Sequence, residues 1–135
     1  MPISAFDHVA IPIERVGEML EFYRNLGFDV REPRPPLMFS VHLADHKINF
    51  HGPELWKPGK FTLRGPSAQP GCGDFCFRWD GTISEVVEML AGLDVPMIEG
   101  PVERDGGRNQ GSDVGTSVYI RDPDQNLLEF ICYDG

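Results

Sequence analysis

Two stretches of this 135-residue chain carry the same helical stripe, and each lies within the same succession of short strand-like segments. In the first, Val16, Met19, Leu20, Phe22, Tyr23 and Leu26 recur at the spacing of one helix face, and Gly27 is placed to end it. In the second, Ile83, Val86, Val87, Met89, Leu90 and Leu93 repeat the layout. Thr82 or Ser84 can cap its start, and Glu85 and Glu88 lie near the positive end of its dipole. Strand-like segments at 6–11 and 74–79 precede the helices, and extended pieces at 28–30 and 95–98 follow them. Each half then shows a strand–turn–strand pair: 37–43 with 47–51, and 116–121 with 127–132. The chain therefore reads as βαβββ written twice. A Pro/Gly-rich connector spans 52–73, and the polar, glycine-rich stretch 100–115 reads as a flexible segment able to cover a ligand.

The length suits a single domain over 1–135, with module one at about 5–64 and module two at about 72–133. No apolar run is long enough for a membrane span, and the N-terminus shows neither the basic nor the long apolar region of a signal peptide. Cys72, Cys76 and Cys132 are odd in number and match no zinc-ribbon spacing. They read as reduced, small apolar residues of a cytoplasmic protein. A formal charge of −9, from 21 acidic against 12 basic residues, argues against nucleic acid or an anionic membrane as partner. A small-molecule partner remains.

Strand alternation then assigns faces. Val9 and Ile11, Ile48 and Phe50, Phe75 and Phe77, and Leu128 and Phe130 form the apolar sets that pack against helices. Opposite them fall His8, Asn49, His51, Asp74 and Glu129, all on faces that carry no helix. His8 precedes the apolar run Val9-Ala10-Ile11, and Glu129 stands among Leu127, Leu128, Phe130 and Ile131. Both are expected in apolar surroundings, where a carboxylate needs a positive partner. A shared metal ion is one such partner.

Three segments carry a resemblance: Asp7-His8-Val9-Ala10-Ile11, Phe22-Tyr23-Arg24-Asn25-Leu26-Gly27-Phe28, and Val118-Tyr119-Ile120-Arg121-Asp122-Pro123-Asp124-Gln125-Asn126-Leu127-Leu128-Glu129. With them the chain resembles the vicinal oxygen chelate superfamily, which spans glyoxalase I, extradiol dioxygenases and bleomycin-binding proteins. Lys47-Ile48-Asn49-Phe50-His51 and Pro96-Met97-Ile98-Glu99-Gly100-Pro101-Val102 are most similar to glyoxalase-domain-containing proteins. The resemblance implies an α+β fold: two βαβββ modules forming a partly open mixed β-barrel with helices outside. It implies metal ligands from the first and last strand of each module, so that His8 and Glu129 match directly. Asp74 stands where the family often has His, and Asn49 where it often has Glu or Gln, with His51 one pleat away. It also implies a homodimer.

The candidate metal set is thus His8, His51, Glu129 and Asp74, with Glu129 or Asp74 also able to carry a proton as catalytic residues. Two His and one carboxylate would leave positions open for substrate oxygens. The divalent metal is Fe, Zn, Ni or Mn. The expected activity is glyoxalase I-like lyase, isomerase or extradiol-type dioxygenase chemistry on a small oxygen-rich substrate. The competing reading is a metal-free binding protein of the bleomycin-resistance type for a cationic drug, with Phe39, Trp56 and Phe61 lining a groove. For Glu129 alone, the plainer expectation is an ion pair with Arg78 or Arg121. His51 is either turned inward or exposed at its strand end. His42 shares a face with Met38 and Ser40, and His46 is a solvated turn residue. Gln125 stands where the family usually has Gly; if that position needs positive φ, it costs about 1 kcal/mol or more.

Overall fold

In the computed structural model, which describes residues 1–134, both halves form the expected module. Contacts divide the chain into two compact units: Met1–Gly73 together with Pro123–Gln125, and Asp74–Asp122 together with the strand that follows from Asn126. The first holds β1 (His8–Pro12), α1 (Val16–Asn25), β2 (Asp29–Arg34), β3 (Met38–Leu43), β4 (His46–His51) and the single turn α2 (Pro53–Trp56). The second holds β5 (Asp74–Arg78), α3 (Ile83–Gly92), β6 (Glu99–Asp105), the irregular turn α4 (Arg108–Gly111), β7 (Val114–Arg121) and β8 (Leu127–Cys132). Each module has its own four-stranded mixed sheet, in the orders β1-β4-β3-β2 and β5-β8-β7-β6. In both, the first strand runs parallel to the last and the rest is antiparallel. The architecture is α+β.

The helices form where the stripes predict. Met19, Leu20 and Tyr23 of α1 are buried, and the Tyr23 ring meets Phe50 of β4 edge-on at 5.2 Å. In module two, Val86 and Leu90 are buried, and α3 lies against β7 and β8 over Val118, Ile120, Leu128 and Phe130. Burying such side chains contributes about 1.5–3 kcal/mol each, so these faces set the sheet register. Thr82 is the cap of α3: its hydroxyl accepts the Glu85 N–H while the Glu85 carboxylate accepts the Thr82 N–H. Gly27 ends α1 at φ +100°, and the Phe28 N–H reaches back to the Tyr23 carbonyl.

Two expectations are corrected. The first strand begins at His8 and not at residue 6; Phe6 is exposed. Residues 100–115 are not a flexible cover. Half of them build β6 and the start of β7, with registered pairs from Val102↔Ser117 to Asp105↔Val114. The charged residues that made this stretch look loop-like sit on a sheet edge, where alternate side chains face water. The extended piece expected at 95–98 precedes the strand.

Candidate functional site

The register confirms that the polar candidates occupy the faces opposite the helices. In module one, Asn49 pairs with Ala10 on one side and Ser40 on the other, while its neighbours Ile48 and Phe50 are buried toward α1. His51, two residues on, pairs with Pro12 and Met38. It is 5% exposed, so it is turned inward. The ring of Phe61 meets it edge-on at 5.2 Å. Burial holds the imidazole below its ordinary pKa, and the nearby Arg64 charge adds to this, so His51 is neutral at physiological pH. The Asn49 side-chain oxygen is buried without a hydrogen-bond partner, an arrangement that costs about 1–3 kcal/mol if nothing occupies it. His42 is half-buried and hydrogen-bonds the Ser40 hydroxyl at 2.9 Å. His46 is exposed, with Nδ1 2.7 Å from the Phe6 carbonyl.

His8 departs from expectation. It is exposed rather than enclosed by apolar residues, because it opens the strand and only Val9 and Ile11 turn toward the helix. Its Nδ1 lies 2.7 Å from a carboxylate oxygen of Asp7, and that contact holds the Asp7 carboxyl below its usual range. A carboxylate on Nδ1 fixes the ring and leaves Nε2 as the outward nitrogen, which is how histidines that bind metals are commonly oriented.

In module two, Glu129 is half-buried and pairs with Cys76 across β5–β8 and with Tyr119 across β7–β8. The Ser117 hydroxyl, fully buried, donates to Glu129 Oε2 at 2.6 Å. Cys76 also hydrogen-bonds Glu129. Its thiol is pushed up to about 12 by desolvation, then by the charge and hydrogen bond of Glu129, then by Asp74. Cys76 is an exposed residue whose thiol meets the Glu129 carboxylate. The expected ion pair from Glu129 to Arg78 does not form; Arg78 lies 3.5 Å from Asp80 and over the Tyr133 ring. Asp74 is exposed at the start of β5. Among the described residues, no three His, Cys, Asp or Glu side chains gather as a metal ion would require.

The chain matches the model of the glyoxalase/bleomycin resistance protein/dioxygenase superfamily over residues 5–130. It belongs to this superfamily. Among superfamily relatives, virulence protein STM3117 of Salmonella typhimurium is 32% identical over 98% of this chain and 87% of its own length. Its crystal structure superposes with a TM-score of 0.85 at 31% identity, covering 98% of this chain and 99% of that one. Glyoxalase domain-containing protein RDO1 of Mycosarcoma maydis is 31% identical over 98% of this chain and 70% of its own length. The lactoylglutathione lyase structure from Agrobacterium tumefaciens shares the fold, with a TM-score of 0.72 at 22% identity over 98% of this chain and 96% of that one.

Three site residues escaped the sequence reading. Ser117 lies two positions before Tyr119 on β7, and only the hairpin register shows that it reaches Glu129. Cys76 reads from the sequence as a small apolar residue, and its pairing with Glu129 across β5–β8 is a matter of register. Arg64 lies in the connector, where no periodicity speaks. Phe39, expected to line a groove, instead points with Phe50 to the helix side and is 3% exposed. Trp56 is half-buried, its indole N–H donating to the Ile13 carbonyl at 3.0 Å.

Proposed function

We propose that this chain is a metal-dependent enzyme of the glyoxalase/dioxygenase type, acting by lyase, isomerase or ring-cleaving oxygenase chemistry on a small oxygen-rich substrate. The observation that carries the reading is the strand register. His8, Asn49 and His51 in module one, and Asp74 and Glu129 in module two, share helix-free faces; His8, Asn49, Asp74 and Glu129 stand where the superfamily resemblance expects ligands, with His51 one pleat from Asn49.

The donor chemistry fits a divalent cation. His8 has a carboxylate on Nδ1, His51 is neutral, and Asn49 has an orphaned buried oxygen. His8 and Glu129, with His51 or Asp74 as third ligand, would hold the ion. Such an ion, Fe, Zn, Ni or Mn, supplies a Lewis acid for two neighbouring substrate oxygens. The chain's own residues do the rest. Asp7 orients His8, Ser117 fixes one oxygen of Glu129, and a Glu129 or Asp74 carboxylate takes a proton from the substrate and returns it. A homodimer is part of this reading.

A second reading, a metal-free small-molecule binder of the bleomycin-resistance type, is favoured by two observations. Ser117 and Cys76 already engage Glu129, and no three-ligand cluster is present among the described residues. Elemental analysis separates the two, applied to the purified protein and to apoprotein offered Zn²⁺, Ni²⁺, Fe²⁺ or Mn²⁺. The enzyme reading expects about one metal per chain, lost on His8→Ala. No uptake of any of the four by the unaltered protein leaves the binder.

A further inference from the structure

Arg64 is a half-buried cation in a protein of net charge −9. Among the described residues no carboxylate forms an ion pair with it, although acidic residues outnumber basic ones 21 to 12. The side chain is half-buried, and its Nε–H is buried with no acceptor. One terminal nitrogen donates to the Ala68 carbonyl, and the guanidinium plane stands over the Trp56 ring at 5.5 Å. Trp56 is itself pinned by its bond to Ile13, so the arginine rests on a fixed platform. A guanidinium keeps its charge at every physiological pH, and a desolvated donor left unpaired is costly.

The surroundings define what is missing. Trp56, under the guanidinium, bonds the Ile13 carbonyl, the Ile13 N–H donates to the His51 carbonyl at 2.9 Å, and Phe61, three positions before Arg64, meets the His51 ring, which is on the helix-free face with Asn49. We propose that Arg64, held on Trp56 beside His51, is a subsite for an anionic group of the ligand, a carboxylate or a phosphate. Arg forks match both groups in two-point geometry. The proposal deepens the reading that the helix-free face of module one receives a small molecule, and it rests on that. It runs against a cationic ligand at this face, because the Arg64 guanidinium there has no acid paired with it among the described residues.

Trp56 supplies the readout. Metal-stripped protein, kept in a chelator, is titrated with sodium malonate and separately with inorganic phosphate. Ionic strength is held constant with chloride, and tryptophan fluorescence and melting temperature are followed. A saturable change with at least one of the two anions is expected. Arg64→Gln should weaken it by about tenfold or more, and Arg64→Lys by less, since a point charge keeps attraction but loses the fork. Response to malonate alone assigns a carboxylate, and response to phosphate alone assigns a phosphoryl group. Arg64→Gln should melt within a few degrees of the parent in chloride, because it also removes an uncompensated charge. A flat titration with both anions overturns the proposal. So does an unchanged response in Arg64→Gln, or a large loss of melting temperature in chloride that would make Arg64 structural. A response that requires added metal and ignores Arg64→Gln places the anion on the metal, which refutes this subsite while supporting the proposed enzyme. Failure of metal uptake would leave the chelator experiment untouched.

Discussion

The carboxylate of Asp124 accepts the backbone N–H of Arg15 at 3.1 Å, although 109 positions of sequence separate them. Its other oxygen accepts the Glu14 N–H at 2.8 Å. Arg15 is the N-cap of α1 and has no capping side-chain bond of its own, so the hairpin turn Pro123–Gln125 supplies the acceptor that the local sequence lacks. The negative charge also lies at the positive end of the helix dipole.

From this follows the first prediction. Asp124→Ala should cost about 1–3 kcal/mol, the expense of leaving two amides without acceptors. Asp124→Asn, which keeps one carbonyl oxygen, should lose less. Urea unfolding midpoints for the three proteins check the order. Equal midpoints for Asp124→Ala and the parent would show that water replaces the cap without loss.

The neighbouring residue makes the opposite prediction. Gln125 has φ +75°, in the region where a side chain is strained by about 1–2 kcal/mol. Glycine relieves that strain but adds about 0.4–1 kcal/mol of unfolded-state entropy. Gln125→Gly should therefore stabilise by about 0.5–1 kcal/mol net. A lower unfolding midpoint in urea would mean that the contacts of the Gln125 side chain outweigh its backbone strain.

How much of this was legible follows from the range of each signal. The helices were readable because their stripes are local: Met19, Leu20 and Tyr23, then Val86 and Leu90, are buried as their spacing requires. The faces were readable because alternation is local too, so Asn49 and Glu129 lie opposite Phe50 and Phe130 as expected. Long-range pairing was not. Nothing in the neighbourhood of Arg15 names Asp124, and nothing around Glu129 names Ser117. The exposure of His8 was missed because an adjacent apolar run shows only that a strand is near, not where it starts. Arg64 was invisible for a different reason, since its significance is the acid that is absent from its side.

Cys76 gives a third prediction, on chemistry rather than stability. With its thiol pushed up to about 12, Cys76 should alkylate slowly at neutral pH despite its exposure, because only the thiolate attacks. Glu129→Gln removes the adjacent negative charge and should accelerate alkylation roughly tenfold. Iodoacetamide labelling in a Cys72→Ser background, followed by mass spectrometry, isolates the effect, since Cys132 is buried. An unchanged rate would show that desolvation, not Glu129, silences the thiol.

His51 sets the direction of acid sensitivity. Its pKa is lowered in the fold by burial and by Arg64, so the unfolded chain binds the proton more readily. Wherever the unfolded state holds more protons, stability rises with pH. The contribution of neutral His51 is therefore complete above its ordinary value of about 6.5 and is lost as pH falls below that toward the depressed folded value. His42, also lowered by desolvation and by Arg31, adds a change of the same sign in the same window. Unfolding midpoints measured at about pH 7.5 and about pH 5.5 should drop for the parent and drop less for His51→Gln, which cannot take up the proton. An identical drop in both proteins would place the sensitivity elsewhere and remove the case for a neutral, inward imidazole. Arg64→Gln should shift the same transition toward lower stability loss, because part of the opposition to His51 protonation disappears with the guanidinium.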